Sequence, residues 1–261
     1  MKSLLRDMRN SCSHHEFWAY AVWLDIATRY RRTSVGVGWL LMPPMAYVLG
    51  IGYLYSHMMG RDPVQFVPHL GFGWILWRLS IRTINESADV YAAHQAFIMD
   101  GRTRFTDFVL RAFAQSFLFF TVGFLVVLTI VLVIVPTTWG LLTLVLTLPV
   151  FMLNVLWMAV IVSLFGARFP DTREMIGTIL IFGFLLTPIL WDAAMVPPDT
   201  IRGAAMRLNP FFHLIEFVRA PALGGAPETL TLYVIAGMTI LGWLLAAVLY
   251  RRYARFVPLW I

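Results

Sequence analysis

The chain has 261 residues, of which 59% are hydrophobic and 13% charged, whereas a soluble domain reaches roughly 45–50% apolar with glycine included. So few charges cannot cover a water-facing surface of this size, which excludes an ordinary soluble globule and makes the bilayer the expected solvent. The net charge of +6 is carried by arginines, with Lys2 the single lysine; it gathers at the ends of apolar runs and forms no basic face with interleaved aromatics, which excludes a nucleic-acid partner.

In chain order, "MKSLLRDMRNSCSHHEF" lacks the apolar core and cleavage pattern of a signal peptide and is expected to be retained. Cys12 is the single cysteine, which removes an intrachain disulfide or a CxxC site. Next, "HEFWAYAVWLDIATRYRR" sets Phe17, Tyr20, Val22, Trp23, Leu24 and Ile26 among Glu16, Asp25 and Arg29. That pattern predicts an amphipathic helix lying in the membrane interface, with Asp25 and Arg29 spaced for an i,i+4 pair. It reads either as a plain anchor or as a contact for a cytosolic partner.

A helical crossing needs about 20 apolar residues. Five runs meet or nearly meet that length: Val35 to His57, Ala112 to Val135, Gly140 to Ala167, Met175 to Trp191 and Leu230 to Tyr250. A sixth, Val67 to about Asp89, admits Arg78, Arg82 and Glu86 after an apolar first half. The expected fold is therefore all-α and membrane-integral: one domain over residues 1–261 with six transmembrane helices and an N-terminal interface helix.

The first run begins behind Arg29, Arg31 and Arg32 and meets Pro43 and Pro44 within its apolar stretch. The arginines can hold its end at the headgroups. The prolines remove backbone donors, which suits a helix facing protein or a cavity; they read as a packing angle or as a gating hinge. Along the sixth run, successive residues at 100° put Arg78, Arg82, Asn85, Glu86 and Asp89 within about 100° of arc. So narrow a polar stripe faces a bundle interior, an interface or a wet pathway. Arg82 and Glu86 are also spaced for a structural helical pair.

With both termini inside, inner segments collect fourteen of the twenty basic residues: Lys2, Arg6, Arg9, Arg29, Arg31, Arg32, Arg102, Arg104, Arg111, Arg168, Arg173, Arg251, Arg252 and Arg255. Outer segments hold only Arg61, Arg202, Arg207 and Arg219. The positive-inside rule predicts cytoplasmic termini.

Between the fifth and sixth runs, Asn209 is a good N-cap and Pro210 suits the first helical position, so a short helix is expected over Asn209 to Arg219, stopped by Pro221 and the following glycines. It is too short to cross and reads as re-entrant or interfacial on the outer side. A Walker A loop requires a lysine that this chain does not supply, and no HExxH or GxSxG motif occurs. Neither ATP hydrolysis by that route nor metal or nucleophilic catalysis has a visible constellation.

Several stretches, in order, resemble one family. "TRYRRTSVGVGWLLMPPM" is similar to the lead-in to the first span of membrane subunits of type-2 ABC exporters for O-antigen and capsular polysaccharide; "INESADV" resembles the close of their second span. "ARFPDTREMIGTILIFGFLLTPILW" looks like their short charged loop and fifth span, and "LNPFFHLIEFVRAPALG" like their outer helical segment. The likeness runs from about Asp25 to Arg252, with Arg78 and Arg82 making the second span more basic than is usual.

The resemblance implies a six-span permease of the cytoplasmic membrane that pairs with itself and with two copies of a separate ATPase, exporting a lipid-linked polysaccharide. This chain would bind no cofactor, ATP and Mg residing on the partner. Coupling would involve Asp25 and Arg29 of the interface helix and the loop Arg168, Phe169, Pro170, Asp171, Thr172 and Arg173. The outer re-entrant helix would carry Asn209, Pro210, Glu216 and Arg219. Tyr47, Tyr53, Trp74 and Trp77, able to stack on sugar rings or to anchor the interface, join Arg78, Arg82 and Glu86 as channel candidates. Two alternatives stay open: a permease for a drug or small lipid, and a membrane enzyme using Glu86, Asp89 or Asp171 on a lipid-linked sugar.

Overall fold

Away from water, a backbone must satisfy its own hydrogen bonds, and a helix does so within one segment. The computed structural model describes residues 3–31, 33–101, 103–134 and 139–261, and among them it is helical with no strand. The expectations that fall on Lys2, Arg32, Arg102 and Val135 lie outside the described residues.

Two helices, α1 (Leu4–Ser13) and α2 (Glu16–Tyr30), precede the apolar body. Both pack on the start of α5 (Phe105–Ile134). Ser11 Oγ lies 2.6 Å from Thr106 Oγ1, and Tyr250 Oη donates to Asp7 at 2.8 Å from the end of α10 (Thr229–Tyr253). These contacts define an arginine-rich end of the molecule.

The first apolar run, α3 (Gly36–Met58), is not one regular helix. A 3₁₀ stretch over Gly36–Leu40 leads into an α-turn at Met42–Met45, a π-helical stretch at Ala46–Ile51 and a last α segment at Gly52–Met58. Pro43 and Pro44 lie in the first turn of their segment, the part of a helix where proline is best tolerated. The prolines therefore start a helical segment, and the irregularity follows them as the wide turn.

α4 (Pro63–Ala88) is the central element. It touches α3, α5, α6 (Leu144–Arg168), α7 (Thr172–Leu186) and α9 (Pro210–Ala222). From Phe66 to Ser80, every residue of α4 is buried except His69, which is partly so, and Arg78, which is exposed. Its end lies so close to α6 that a Cβ on Gly166 would sit 1.7 Å from the Ala88 carbonyl oxygen. Only glycine permits that approach.

Four helical stretches are long and apolar enough to cross a membrane: Gly36–Met58, Phe105–Ile134, Trp139–Arg168 and Thr229–Trp260. Only 17 to 33% of the most apolar window of each is buried. Apolar surface on that scale, turned outward, belongs against lipid, so the protein is membrane-embedded. These four match the first, third, fourth and sixth runs read from sequence. The other two differ. α4 has the length, at 26 residues, but carries Arg78, Arg82 and Glu86. α7 has 15 residues, about 22 Å at 1.5 Å per residue, and ends at Leu186 rather than Trp191. Thr187 is extended, at φ −90° and ψ 131°, because the following Pro188 disfavours the α conformation.

The short α8 (Ile201–Arg207) and then α9 follow. Asn209 Oδ1 accepts from Phe211 N at 3.0 Å, the expected cap. The helix runs through Pro221 to Ala222, three residues beyond the expected Arg219. Gly224, at φ +83°, then stops it: its N–H reaches the Pro221 carbonyl at 3.0 Å, and Gly225 N–H reaches that of Ala220 at 2.9 Å. That pairing is a Schellman close, and glycine suits its left-handed residue.

Candidate functional site

A buried helix with one exposed arginine is the feature from which the site is built. Arg78 projects from α4 into a cavity of about 270 Å³ that also receives Arg82, one helical turn on, and Arg29 from the last turn of α2. Aromatic rings wall it. The Arg78 guanidinium carbon stands 5.4 Å from the Trp74 ring centre, and that of Arg82 3.7 Å from Phe119. Both lie within cation–π range. Trp39 and Pro43 and Pro44 of α3 close another side.

The charges do not balance. Arg82 Nε donates to Glu86 Oε1 at 2.8 Å, the i,i+4 pair expected from spacing, and Ser116 Oγ approaches the other Glu86 oxygen at 3.5 Å. Among the described residues, Arg29 and Arg78 form no ion pair with a carboxylate.

Next to this cavity, towards the arginine-rich end, a smaller one of about 170 Å³ is lined by Glu86, Asp89, His94, Gln115, Arg111 and Arg173 among others. Here α2, the Ala92–His94 turn and α5 are tied together: Arg111 donates to Asp25 Oδ2 at 2.7 Å and faces His94 Nε2 at 2.8 Å. His94 Nδ1 donates to the Val90 carbonyl at 2.7 Å, leaving Nε2 as the acceptor. Burial lowers the His94 pKa from its ordinary value, and Arg111 adds to the lowering. A neutral imidazole is what this geometry requires. Asp25 thus pairs with Arg111 across 86 residues of sequence, and the expected pair with Arg29 is absent.

The α6–α7 loop stands at the same end. Arg173 is ion-paired with Asp89 at the close of α4. Thr172 Oγ1 donates to the Phe169 carbonyl at 2.6 Å, and the Arg168 guanidinium lies over the Phe169 ring at 5.4 Å. Phe169 itself is 53% exposed, and Pro170 and Asp171 are exposed beside it.

At the opposite end, Arg219 is buried to 2% exposure. It donates to Glu216 at 2.6 Å and to the Pro188 carbonyl at 2.7 Å, and approaches His69 Nε2 at 3.0 Å. Asn209 Nδ2 donates to Thr187 Oγ1 at 2.9 Å. The backbone broken at Thr187–Pro188 is therefore held by α9 side chains. This set binds structure together and is enclosed.

The four aromatic candidates are dispersed. Tyr47 stacks on Trp74 at 4.8 Å, beside the arginine cavity. Trp77 is 3% exposed, packed between Phe184 and Phe211, so it is core. Tyr53 is exposed, its ring tilted against that of His57 at 4.3 Å. Trp39, Phe119, His94 and His69 were not singled out by sequence, and nothing local in spacing marks them. Among the described residues, no group of three or more His, Cys, Asp or Glu could hold a metal ion. Compared with known protein families the chain matches none, and a comparison with curated proteins likewise returns no match.

Proposed function

We propose that this chain is the permease subunit of an ATP-driven exporter: a six-span protein, both termini cytoplasmic, that works as a homodimer with two copies of a separate ATPase and moves a lipid-linked polysaccharide of O-antigen or capsule type across the cytoplasmic membrane. One observation carries the reading. A central helix with a polar, arginine-bearing stripe is enclosed by helices whose apolar faces turn outward, the arrangement of a guarded pathway through lipid.

Other features support it. The outward faces of the apolar helices and the exposed Phe169–Asp171 loop leave surface for a second copy and for an ATPase. On this reading α4 is the second crossing, shielded from lipid by its neighbours, and α7 with the extended segment after it is the fifth. The acid–base alternative loses two of its three candidates, since Glu86 and Asp89 are each held by an arginine.

Co-expression with candidate cognate ATPase subunits, followed by purification through a tag on this chain, tests the proposal. A complex whose ATP hydrolysis this chain stimulates, and glycan export lost on deleting this chain, are the expected results. ATP-independent turnover of a lipid-linked sugar by the purified chain alone would overturn it.

A further inference from the structure

Where α6 meets the C-terminal end of the chain, three arginines sit on one cluster of aromatic rings beside a pocket with an outward apolar wall, and we propose that this pocket binds the headgroup of an anionic glycerophospholipid. The inference rests on the membrane setting of the helices and not on the transport reading.

Past Tyr253, where α10 ends, the chain turns through a 3₁₀ stretch at Ala254–Phe256 into a last helical turn at Val257–Trp260. That hook packs on α6. Between them lies a pocket of about 300 Å³ whose walls include Phe165, Arg168, Phe169, Leu249, Tyr253 and Trp260. The Arg168 guanidinium lies over two rings, Phe169 at 5.4 Å and Trp260 at 5.8 Å, and cation–π attraction to both holds its head at the pocket. The Trp260 ring in turn stacks on Phe256 at 5.9 Å and lies 6.1 Å from Tyr253. Each of those neighbours carries an arginine of its own: Arg255 lies over Phe256 at 4.6 Å and Arg252 over Tyr253 at 5.5 Å. All three arginines are exposed, and among the described residues none of them forms an ion pair with a carboxylate. Asp171, three positions beyond Arg168, is exposed and not paired with it.

The apolar wall decides the class of ligand. Phe165 is exposed, as is Leu245 one turn before Leu249, and both belong to helical stretches whose apolar faces turn outward. A ligand here must carry hydrocarbon next to its charge, as a glycerophospholipid does, with phosphate at the arginines and an acyl chain along α6 and α10. Guanidinium meets phosphate oxygens through paired N–H donors and stays charged beside lipid. Tryptophan and tyrosine favour the headgroup level, and basic residues at a membrane surface attract anionic lipid. An acidic protein surface would engage the arginines and leave the apolar wall unmatched. On this assignment Arg168 acts at the membrane rather than in coupling, while Pro170 and Asp171 beyond it stay exposed.

The test uses the full chain in phosphatidylcholine nanodiscs with a trace of phosphatidylglycerol bearing a photoactivatable group on its acyl chain, followed by peptide mapping of the crosslinks. Labelling around Phe165 and Leu249 is expected, about fivefold above that by a phosphatidylcholine probe of the same chain, with high salt narrowing the gap. Arg168→Gln should remove most of that preference and leave phosphatidylcholine labelling as it was. The double variant Arg252→Gln, Arg255→Gln should also reduce it, and Arg61→Gln, at the opposite end, should label as the parent does. Arg168→Gln breaks no ion pair and so should fold; if it does not, the double variant decides alone. Equal labelling by the two lipids, or a preference unchanged in both arginine variants, overturns the proposal. So does loss of the label when an ATPase complex forms, which would give the pocket to protein. Failure to form any such complex bears on the transport reading alone.

Discussion

Arg219 shows how a charged side chain can be wholly structural in an apolar protein. Its donors are used by Glu216 and the Pro188 carbonyl, with His69 alongside, and breaking a buried pair of this kind removes about 3–5 kcal/mol. Arg219→Met should therefore lower the thermal midpoint and the yield of monodisperse protein sharply. Arg219→Lys should recover little, because a point charge cannot reproduce the fork. His94 offers a second prediction. Its lowered pKa means that below about pH 6.5, the ordinary imidazole value, the unfolded chain binds more protons than the folded one. Stability contributed by the neutral ring is thus present above that pH and lost as pH falls, when a protonated ring would oppose Arg111 beside Asp25, Glu86, Asp89 and Arg173. Thermal midpoints between pH 7.5 and 5.5 should fall more steeply for the parent than for His94→Asn; equal slopes would remove His94 from the account.

Among the elements, what could be read locally was legible. The Asn209 cap and the Arg82–Glu86 pair lie within four residues of their partners, so spacing alone finds them. The Asp25–Arg111 and Asp89–Arg173 pairs join residues 86 and 84 positions apart, and no periodicity encodes which distant charge will be the neighbour. For that reason Asp25 was assigned to Arg29, the only cation in local register. Helix type was legible and helix length less so: the Thr187–Pro188 step ends α7 early, while Pro221 falls inside α9 because its own helix can still close on the glycines beyond it. The tightest junction was silent in sequence, since Gly166 looks like any glycine of an apolar run. Gly166→Leu should separate α4 from α6 and abolish folded protein, and Gly166→Ala should already reduce it strongly, as judged by size-exclusion profile and thermal midpoint; a parent-like Gly166→Ala would show that the two helices can part freely.

For the molecule as a whole, composition alone pointed to lipid, and the outward apolar faces agree with it. The proposed sidedness rests on where the arginines gather, and Cys12, exposed and the single cysteine, provides a native label for testing it. In intact cells a membrane-impermeant maleimide should leave Cys12 unmodified, and permeabilisation should expose it. Labelling from outside would invert the orientation and with it the assignment of the Phe169 loop to an ATPase.

The wide turns at Ala46–Ile51 have a consequence for reading this chain by helical wheels. Each i→i+5 turn holds about one residue more than an α-turn, so side chains after Ile51 trail the phase set before Ala46. A wheel drawn straight through Gly36–Met58 therefore places Tyr47 and Tyr53 on a common azimuthal scale that the backbone does not keep. Removing one residue from the wide stretch would return the two halves to a single phase, turning Tyr53 and its neighbours to a different bearing while leaving the proline-led half against the cavity.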